Sequence, residues 1–172
     1  GLPVIISNCS NNYGPWQFPE KLIPLAISKA LKNDAIPLYG DGKNIRDWLF
    51  VEDHINALIK IAEKGKIGKK YCIGGSNEKT NKEVLEELCK TLDKFRPDFA
   101  PHFSLVKNVK DRPGHDYRYA IDHRLITDEL GWKPINNFSE GLEKTVKWYL
   151  MNQDWLADAK INSGYFGTRL GI

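Results

Sequence analysis

The apolar residues of this chain fall into short extended runs separated by longer stretches with helical spacing. Runs rich in β-branched and aromatic residues predict strands at residues 3–7, 38–39, 48–51, 70–74 and 103–106. Apolar positions three and four residues apart predict amphipathic helices at residues 19–32, 52–64, 80–95, 122–131 and from 139 onward. Short strands separated by helices indicate a mixed α/β fold, which we treat as one unit of 172 residues.

Local signals mark the ends of two helices, and periodicity marks the face of a third. Thr80 and Glu83 form the pattern of a capping box at a helix N-terminus. Asp122 can cap the short helix that ends at Gly131. In the helix at residues 52–64, the apolar positions are Ile55, Leu58, Ile59 and Ala62.

Composition limits the classes of protein to which the chain can belong. An apolar fraction of 41% and a charged fraction of 27% are typical of a globular protein, and the net charge of +3 comes from scattered residues without a nucleic-acid footprint. No run of residues has the length and hydrophobicity of a membrane span. Cys9, Cys72 and Cys89 lack zinc-binding spacing and cannot all pair, which favours a reducing compartment. We therefore expect a cytoplasmic protein without a nucleic-acid, membrane or metal partner.

Two asparagines directly follow the first predicted strand. Asn11 and Asn12 begin a polar loop after residues 3–7, and ligands bind at the carboxyl ends of strands in open α/β sheets. A side-chain amide both donates and accepts hydrogen bonds, which suits a nicotinamide amide or a sugar hydroxyl. The same residue types are common in plain turns, so the residues alone leave a structural role open.

The next predicted elements contain residue types that suit a nucleoside diphosphate. Lys21 and Leu22 stand at the start of a helix, where a lysine and free backbone N–H groups can meet a pyrophosphate. Arg46 has the planar fork needed for bidentate contact with phosphate. An apolar wall on which a base could stack is offered by Pro37, Leu38 and Tyr39. A solvated lysine and an ordinary apolar core are the structural alternatives.

The loop at residues 111–116, Asp-Arg-Pro-Gly-His-Asp, gives the sharpest chemical signal. Pro113 stiffens this loop and Gly114 bends it, so that Arg112 and His115 are held in place. A second arginine opposite the first would clamp a diphosphate. We assign His115 a binding role, as a donor to phosphate or ribose, and no acid–base role.

Residues 11–24, 46–53 and 111–122 resemble the extended short-chain dehydrogenase/reductase family, and within it the dTDP-glucose 4,6-dehydratases. The resemblance implies a Rossmann-type α/β fold of which this chain is the C-terminal part. Residues 1–16 would be the last part of the nucleotide-binding sheet and its loop. Residues 17–172 would be the sugar-nucleotide-binding subdomain.

The resemblance also implies a role for individual residues. Asn11 would face the substrate and Asn12 the cofactor NAD. The other residues predicted to contact the dTDP-sugar substrate are Lys21, Leu22, Pro37, Leu38, Tyr39, Arg46, Asn81, Asp111, Arg112, Pro113, Gly114 and His115. For Asn81, an ordinary position in the first helical turn is the structural alternative. The complete enzymes convert dTDP-glucose to dTDP-4-keto-6-deoxyglucose.

Two features of these enzymes have no counterpart in the sequence. There is no glycine-rich cofactor turn. Tyr39 and Lys43 match the spacing of a catalytic Tyr-x-x-x-Lys pair, but Gly-Asp-Gly between them cannot form the required helical turn. We therefore expect no catalytic residue in this chain and a missing N-terminal half as its partner. The run at residues 3–7 is typical of a buried strand, which needs neighbours on both sides that this sequence does not supply. Residues 4–6 should therefore expose an apolar surface where the missing half would pack, and a homodimer is possible for the complete enzyme.

Two alternatives stay open at this point. The chain could belong to a related sugar-nucleotide epimerase, which a preference for UDP-glucose over dTDP-glucose would reveal. It could also be a non-catalytic nucleotide-sugar binding module, which should fold and bind alone without an exposed apolar surface at residues 4–6.

Overall fold

The structure, a computed structural model, describes residues 1–164 and confirms the mixed α/β class. Its strands are β1 (Ile6–Cys9), β2 (Asn11–Tyr13), β3 (Ile36–Tyr39), β4 (Ile45–Phe50), β5 (Lys70–Ile73), β6 (Glu78–Thr80), β7 (Val106–Val109) and β8 (Arg118–Tyr119). Its α-helices are α1 (Leu22–Leu31), α2 (Val51–Lys64), α3 (Asn81–Phe95), α4 (Arg124–Leu130), α5 (Phe138–Met151) and α6 (Gln153–Ser163). Two short 3₁₀ helices cover Pro97–Phe99 and His102–Leu105.

The described strands form three small sheets. β1 pairs with β5 in parallel, and β3 pairs with β7 in parallel. β4 is central to the third sheet, because it pairs with parallel β2, antiparallel β6 and parallel β8. In this sheet Asn11 is in register with Trp48, and Arg46 with Tyr119. The residues with candidate chemistry on β2 and β4 are therefore neighbours.

Two apolar cores hold the elements together. The larger core lies among α1, α3 and α5 and includes the aromatic side chains of Tyr13, Trp48 and Phe50. The smaller core includes residues of α2, α4 and β5, among them Ile61. Cys89 is fully buried in the larger core, and this burial raises the pKa of its thiol to about 12. Cys89 is therefore an apolar packing residue and an inert thiol at neutral pH.

Helix boundaries with a local signal follow the prediction closely. The capping box is formed, since Glu83 N donates to Thr80 Oγ1 (3.1 Å) and Thr80 N donates to Glu83 Oε2 (2.7 Å). Gly131 ends α4 in the left-handed conformation. His123, not the predicted Asp122, occupies the N-cap position of α4. The Asp122 carboxylate still accepts from the backbone N–H of Arg124 (2.9 Å), so it stabilises that end.

Other boundaries differ from the prediction. α1 begins at Leu22 and not at residue 19, and Pro24 fits its first turn because no helical hydrogen bond is required there. The strand predicted at residues 103–106 is a 3₁₀ turn, and β7 follows it. α5 begins at Phe138, one residue before the predicted start, because Asn137 forms a capping box with Glu140. The helix predicted from residue 139 onward is two helices, α5 and α6, with Asn152 between them.

The first strand is exposed, contrary to the prediction of a buried strand at residues 3–7. β1 begins at Ile6, and the exposed fractions of Leu2, Val4 and Ile6 are 82%, 44% and 51%. Among residues 1–164, β1 has a partner strand on one edge alone, where β5 lies. A run typical of a buried strand is therefore exposed here, because among residues 1–164 no strand covers its second edge. The predicted exposed apolar surface at residues 4–6 is confirmed.

Helix α2 buries a different face from the one that its apolar residues indicate. Its predicted apolar positions are exposed, namely Ile55, Leu58, Ile59 and Ala62. The buried face contains Asp53, Ala57 and Ile61. The Asp53 carboxylate accepts hydrogen bonds from Asn136 N (3.0 Å) and Asn136 Nδ2 (3.1 Å), which compensates its burial. This polar anchor orients α2 with its more apolar face outward.

The division of the chain at residue 16 stays a prediction. β1 from the first range pairs with β5 from the second, so the two ranges share one sheet. Residues 165–172 of the second range lie outside the described residues.

The exposed edge of β1 leads to a first prediction. An unpaired strand edge with exposed apolar side chains promotes edge-to-edge association. We expect the native chain to associate with increasing concentration in sedimentation velocity, and Ile6→Lys to shift it toward monomer. Ile161→Lys is the matched control, because Ile161 is also exposed but lies on α6, which shares no sheet with β1. A native chain that stays monomeric, or an equal effect of both variants, would contradict this role for the edge.

Candidate functional site

A cavity of about 490 Å³ opens where β2, β4, α1, β3 and the loop at residues 111–115 meet. We call it the cationic cavity, because Lys21, Lys29, Arg46 and Arg112 line it and Glu20 is the one lining carboxylate among the described residues. Its volume is in the range of pockets that enclose a small molecule. The full set of lining residues is Asn11, Asn12, Gln17, Glu20, Lys21, Leu22, Leu25, Lys29, Pro37, Tyr39, Arg46, Trp48, Asn81, Arg112 and His115.

The structure brings most of the predicted site residues together in this cavity. Those that line it are Asn11, Asn12, Lys21, Leu22, Pro37, Tyr39, Arg46, Asn81, Arg112 and His115. Leu38 does not, because it points into the larger core from the opposite face of β3. Asp111, Pro113 and Gly114 shape the loop beside the cavity without lining it.

Strand β4 presents Arg46 to the cavity in a fixed orientation. The guanidinium of Arg46 donates to Ile45 O (2.6 Å) and to Asp116 O (2.8 Å), and the residue is 7% exposed. The pKa of Arg46 is lowered mainly by burial and, to a smaller degree, by the nearby charge of Arg112. Asp116 offsets part of this effect, but among residues 1–164 no carboxylate is hydrogen-bonded to Arg46. Two cations close enough to repel each other form a site that an anion would stabilise.

The neighbours of Arg46 on β4 have distinct roles. Asp47 lies on the other face of the strand and accepts from Gly75 N (2.9 Å) and Asn77 N (2.9 Å). It therefore fixes the loop before β6 and does not hold Arg46. Trp48, two residues beyond Arg46, lines the cavity. Strand alternation from Arg46 could have identified Trp48, which sequence reasoning missed.

One face of α1 forms the opposite wall. Lys21, the N-cap residue, is followed on this face by Leu22, Leu25 and Lys29 at helical spacing. Sequence reasoning missed Leu25 and Lys29, although their positions three and seven residues after Leu22 place them on the same side. Pro37 and Tyr39 from alternate positions of β3 also line the cavity. The lining is thus partly apolar, with lysines at both ends of α1.

The loop at residues 111–115 holds one histidine beside the cavity. His115 Nδ1 lies 2.8 Å from Asp111 Oδ1, which also accepts from the backbone N–H of Arg112 (2.8 Å). The hydrogen bond with His115 and, to a smaller degree, the one from Arg112 lower the pKa of Asp111. The carboxylate is therefore ionised, and Nδ1 of His115 donates the hydrogen bond. Gly114 has φ +65°, the left-handed conformation that lets the loop turn back. Asp111 therefore orients His115 and leaves its Nε2 for a ligand.

The two asparagines after β1 differ in how much of their amides is available. Asn12 Nδ2 donates to Ser10 O (3.1 Å) and approaches Cys9 Sγ (3.2 Å), while Asn12 Oδ1 lies 2.8 Å from His54 Nδ1. Because Oδ1 can only accept, His54 Nδ1 carries the proton. The amide of Asn12 is thus held by three protein groups. That of Asn11 has no hydrogen-bond partner among residues 1–164 and is free to bind a ligand.

The contact between His54 and Asn12 predicts a pH dependence of stability. Burial lowers the pKa of His54, so the folded chain binds fewer protons than the unfolded chain as the pH falls below about 6.5, the ordinary value for histidine. Stability should therefore decrease as the pH falls through that region toward the lower pKa of folded His54. His54→Gln, which keeps a donor for Asn12, should reduce this decrease in urea unfolding at pH 7 and pH 5.5. An unchanged decrease in the variant would contradict this assignment.

Asn81 and Gln17 complete the lining from two further elements. Asn81 is the first residue of α3, and its backbone N–H donates to Asn44 O (3.0 Å), so its side chain is left at the cavity. Gln17 Nε2 donates to Asn12 O (2.7 Å), and Tyr149 Oη donates to Gln17 O (2.7 Å). These bonds tie the loop after β2 to α5 and fix the wall that Gln17 contributes.

Other kinds of site find less support in the described part of the chain. A second cavity, of about 410 Å³, is lined by Asp47, Glu78 and Asp122, a charge pattern unsuited to an anion. Among residues 1–164, no group of three or more His, Cys, Asp or Glu side chains could hold a metal ion. No helix in that range has the length and apolar character needed to cross a membrane.

Comparison with known proteins gives the cavity a context. A sequence model of the family described as GDP-mannose 4,6-dehydratase matches residues 1–145. A dTDP-glucose 4,6-dehydratase of Xanthomonas campestris is 51% identical over 99% of this chain and 49% of that protein. The chain spans about half the length of the curated relatives it matches.

Solved structures agree with the sequence comparison. The dTDP-glucose 4,6-dehydratase of Bacillus anthracis, crystallised with NAD, is 48% identical over 92% of this chain and 48% of that one, with a TM-score of 0.82. DesIV, a dTDP-glucose 4,6-dehydratase of Streptomyces venezuelae also crystallised with NAD, is 42% identical over 92% of this chain and 47% of that one, with a TM-score of 0.85. These matches confirm the Rossmann-type fold and the resemblance inferred from the motifs.

Proposed function

Because the chain belongs to the family described as GDP-mannose 4,6-dehydratase, we propose that it is the substrate-binding part of an NAD-dependent dTDP-glucose 4,6-dehydratase. The observation that carries this proposal is the cationic cavity, where two arginines close enough to repel each other stand beside an apolar wall. A nucleoside diphosphate has the matching parts, two phosphates and a flat base.

The lining residues suggest how a dTDP-sugar would lie. Arg46 and Arg112 would clamp the diphosphate, with Lys21 adding a third positive charge. Because Nδ1 of His115 donates to Asp111, its Nε2 would accept from a ribose hydroxyl in the neutral imidazole and would donate to a phosphate oxygen in the imidazolium form. Asn11 would use its free amide on the sugar hydroxyls. Leu38, Pro113 and Gly114 would support this arrangement from behind the wall and within the loop.

The cofactor would touch this chain mainly at one edge. When bound, NAD supplies the oxidation of the sugar and takes part as a recycled hydride carrier, so the net reaction is the loss of one water from dTDP-glucose. Asn12 fits a fixed contact at the edge of the cofactor site, because His54, Ser10 and Cys9 hold its amide. We propose that the remaining NAD contacts and the catalytic residues come from the half of the relatives that this chain does not span.

The geometry at Tyr39 supports the proposal that the catalytic residues lie outside this chain. Tyr39 ends β3, and the following Gly40 and Gly42 both have positive φ, so Tyr39 and Lys43 lie across a turn and not on one helical face. Lys43 instead pairs with Asp41 (3.0 Å). The missing half would pack on the exposed apolar surface at residues 4–6 and bring the catalytic pair to the cavity. A homodimer would then be a property of the complete enzyme.

Reconstitution tests this function. We would co-express the chain with the N-terminal half of the Xanthomonas campestris relative, purify the complex through a tag on that half, and add NAD and dTDP-glucose. We expect co-purification and a product lighter by one water in mass spectrometry, with Arg46→Met nearly inactive. No association, or association without dehydration, would contradict the proposal. Conversion of UDP-glucose to a product of equal mass would instead favour an epimerase.

A further inference from the structure

Lys29 occupies the end of the cationic cavity at the C-terminal end of α1. It shares the cavity-facing side of α1 with Leu22 and Leu25. An α-helix rises about 1.5 Å per residue, so Lys29 lies roughly 10 Å along the axis from Leu22. The two leucines therefore separate Lys29 from the N-terminal end of the helix.

The connection from α1 to β3 determines which ends of the helix and the strand lie together along the cavity. The backbone N–H of Asp34 donates to Lys29 O (2.9 Å), so the chain reverses after Lys29 and β3 begins beside that end of α1. Pro37 therefore lies toward Lys29. At the far end of β3, Asn108 Nδ2 donates to Gly40 O (2.7 Å), which places the segment leading to the loop at residues 111–115 there. The cations that suit phosphates and Lys29 thus stand at opposite ends of the apolar wall.

Resting on the proposed function, we propose that Lys29 determines base specificity by donating a hydrogen bond to the 4-oxo group of a pyrimidine, as in thymine or uracil. A base lying between Leu22 and Leu25 on one side and Pro37 and Tyr39 on the other would present its outer edge to Lys29. An ammonium group has three donors and no acceptor. It favours a carbonyl oxygen and disfavours the 4-amino group of cytosine, which is itself a donor.

The surroundings leave Lys29 available for this contact. Its ion partner is Asp34 Oδ2 at 3.4 Å, and both side chains are partly exposed, so the pair is weak. Lys32 and Lys160 lie near enough to add positive charge. The pKa of Lys160 is lowered mainly by its burial and, to a smaller degree, by the charges of Lys32 and Lys29. A purely electrostatic role of Lys29 toward phosphate is therefore the competing explanation.

Titration calorimetry with dTDP and dCDP separates these explanations, because the two ligands share their phosphates and sugar. We expect native chain to prefer dTDP. Lys29→Met should weaken dTDP binding about 10-fold or more, as expected for loss of one charged hydrogen bond, and should leave dCDP binding unchanged or stronger because the opposed donor is gone. Lys29→Gln, which keeps a neutral donor, should recover part of the preference. Lys32→Met is the matched control, because Lys32 is exposed and does not line the cavity.

Three other outcomes would contradict the inference, and each would point to a different cause. An equal loss for dTDP and dCDP in Lys29→Met, shared by Lys32→Met, would assign the lysines to general electrostatics. An unchanged dTDP affinity would show that Lys29 makes no contact with the ligand. Failure of the native chain to bind any nucleoside diphosphate would overturn the proposed function and this inference with it.

Discussion

Arg46→Met is expected to weaken the binding of dTDP by about 50-fold, the largest effect of any single change in the cationic cavity. Arg46 is oriented by two backbone carbonyl oxygens and is nearly buried, and among residues 1–164 no carboxylate is hydrogen-bonded to its guanidinium, although Asp116 lies near enough to offset part of the charge. A hydrogen bond to a charged group contributes about 1.5–3 kcal/mol, and a bidentate contact loses both bonds at once. Titration calorimetry at fixed ionic strength measures the loss.

Two further variants test whether the effect of Arg46→Met comes from a specific phosphate contact. Arg46→Lys keeps the charge but not the fork, so it should recover only part of the affinity. Arg118→Met is the matched control, because Arg118 lies on the adjoining strand β8, pairs with exposed Glu78 and does not line the cavity. It should leave dTDP binding unchanged, since exposed ion pairs contribute little. Equal losses in Arg46→Met and Arg118→Met would contradict a specific phosphate contact.

Gly75→Ala is expected to destabilise the fold by about 3 kcal/mol or more. A Cβ atom at Gly75 would lie 1.9 Å from Trp48 O and 2.6 Å from Trp48 C, and backbone atoms in the central strand cannot move aside as a flexible side chain can. The backbone N–H of Gly75 also donates to Asp47 Oδ2, so displacement would break that bond. Urea unfolding with an unchanged m-value would measure the loss of stability.

The same glycine links stability to the cavity. Because Trp48 lines the cavity, a shift of its backbone should also weaken dTDP binding in the fraction of Gly75→Ala that remains folded. Gly131→Asn is the matched control, since Gly131 has a left-handed φ of +63°, no atom near its Cβ position and a role that asparagine tolerates. It should cost well under about 1 kcal/mol. A Gly75→Ala variant as stable as native chain would contradict the close packing described here.

The sequence predicted those elements whose signals are local. The capping box at Thr80 and the glycine stop at Gly131 depend on residues within one helical turn, and both are present in the structure. The apolar pattern placed α2 in the chain but not its orientation, because the buried Asp53 and its bonds to Asn136 come from a residue far away in sequence. The exposure of β1 likewise depends on which strands are present beside it.

The residues of the candidate site also divide into those with a signal in the local sequence and those that depend on packing. Residues such as Arg46, Arg112 and His115 could be named from their chemistry and the family resemblance, and the structure brings them to one cavity. Leu25 and Lys29 have only their helical spacing from Leu22 as a signal, and the wall they form exists only once α1 packs along β3. Leu38 shows the reverse case, since strand alternation turns it into the core while its two neighbours line the cavity.

The most direct test of the account is to locate dTDP on the chain by NMR. Methyl-labelled protein would be titrated with dTDP, and intermolecular nuclear Overhauser effects from the thymine base would be assigned. We predict contacts from the base to the methyl groups of Leu22 and Leu25, with backbone shifts of Arg46 and Arg112 that follow the phosphates. Binding without these contacts, or base contacts near Asp122 in the second cavity, would contradict the cationic cavity as the nucleotide site.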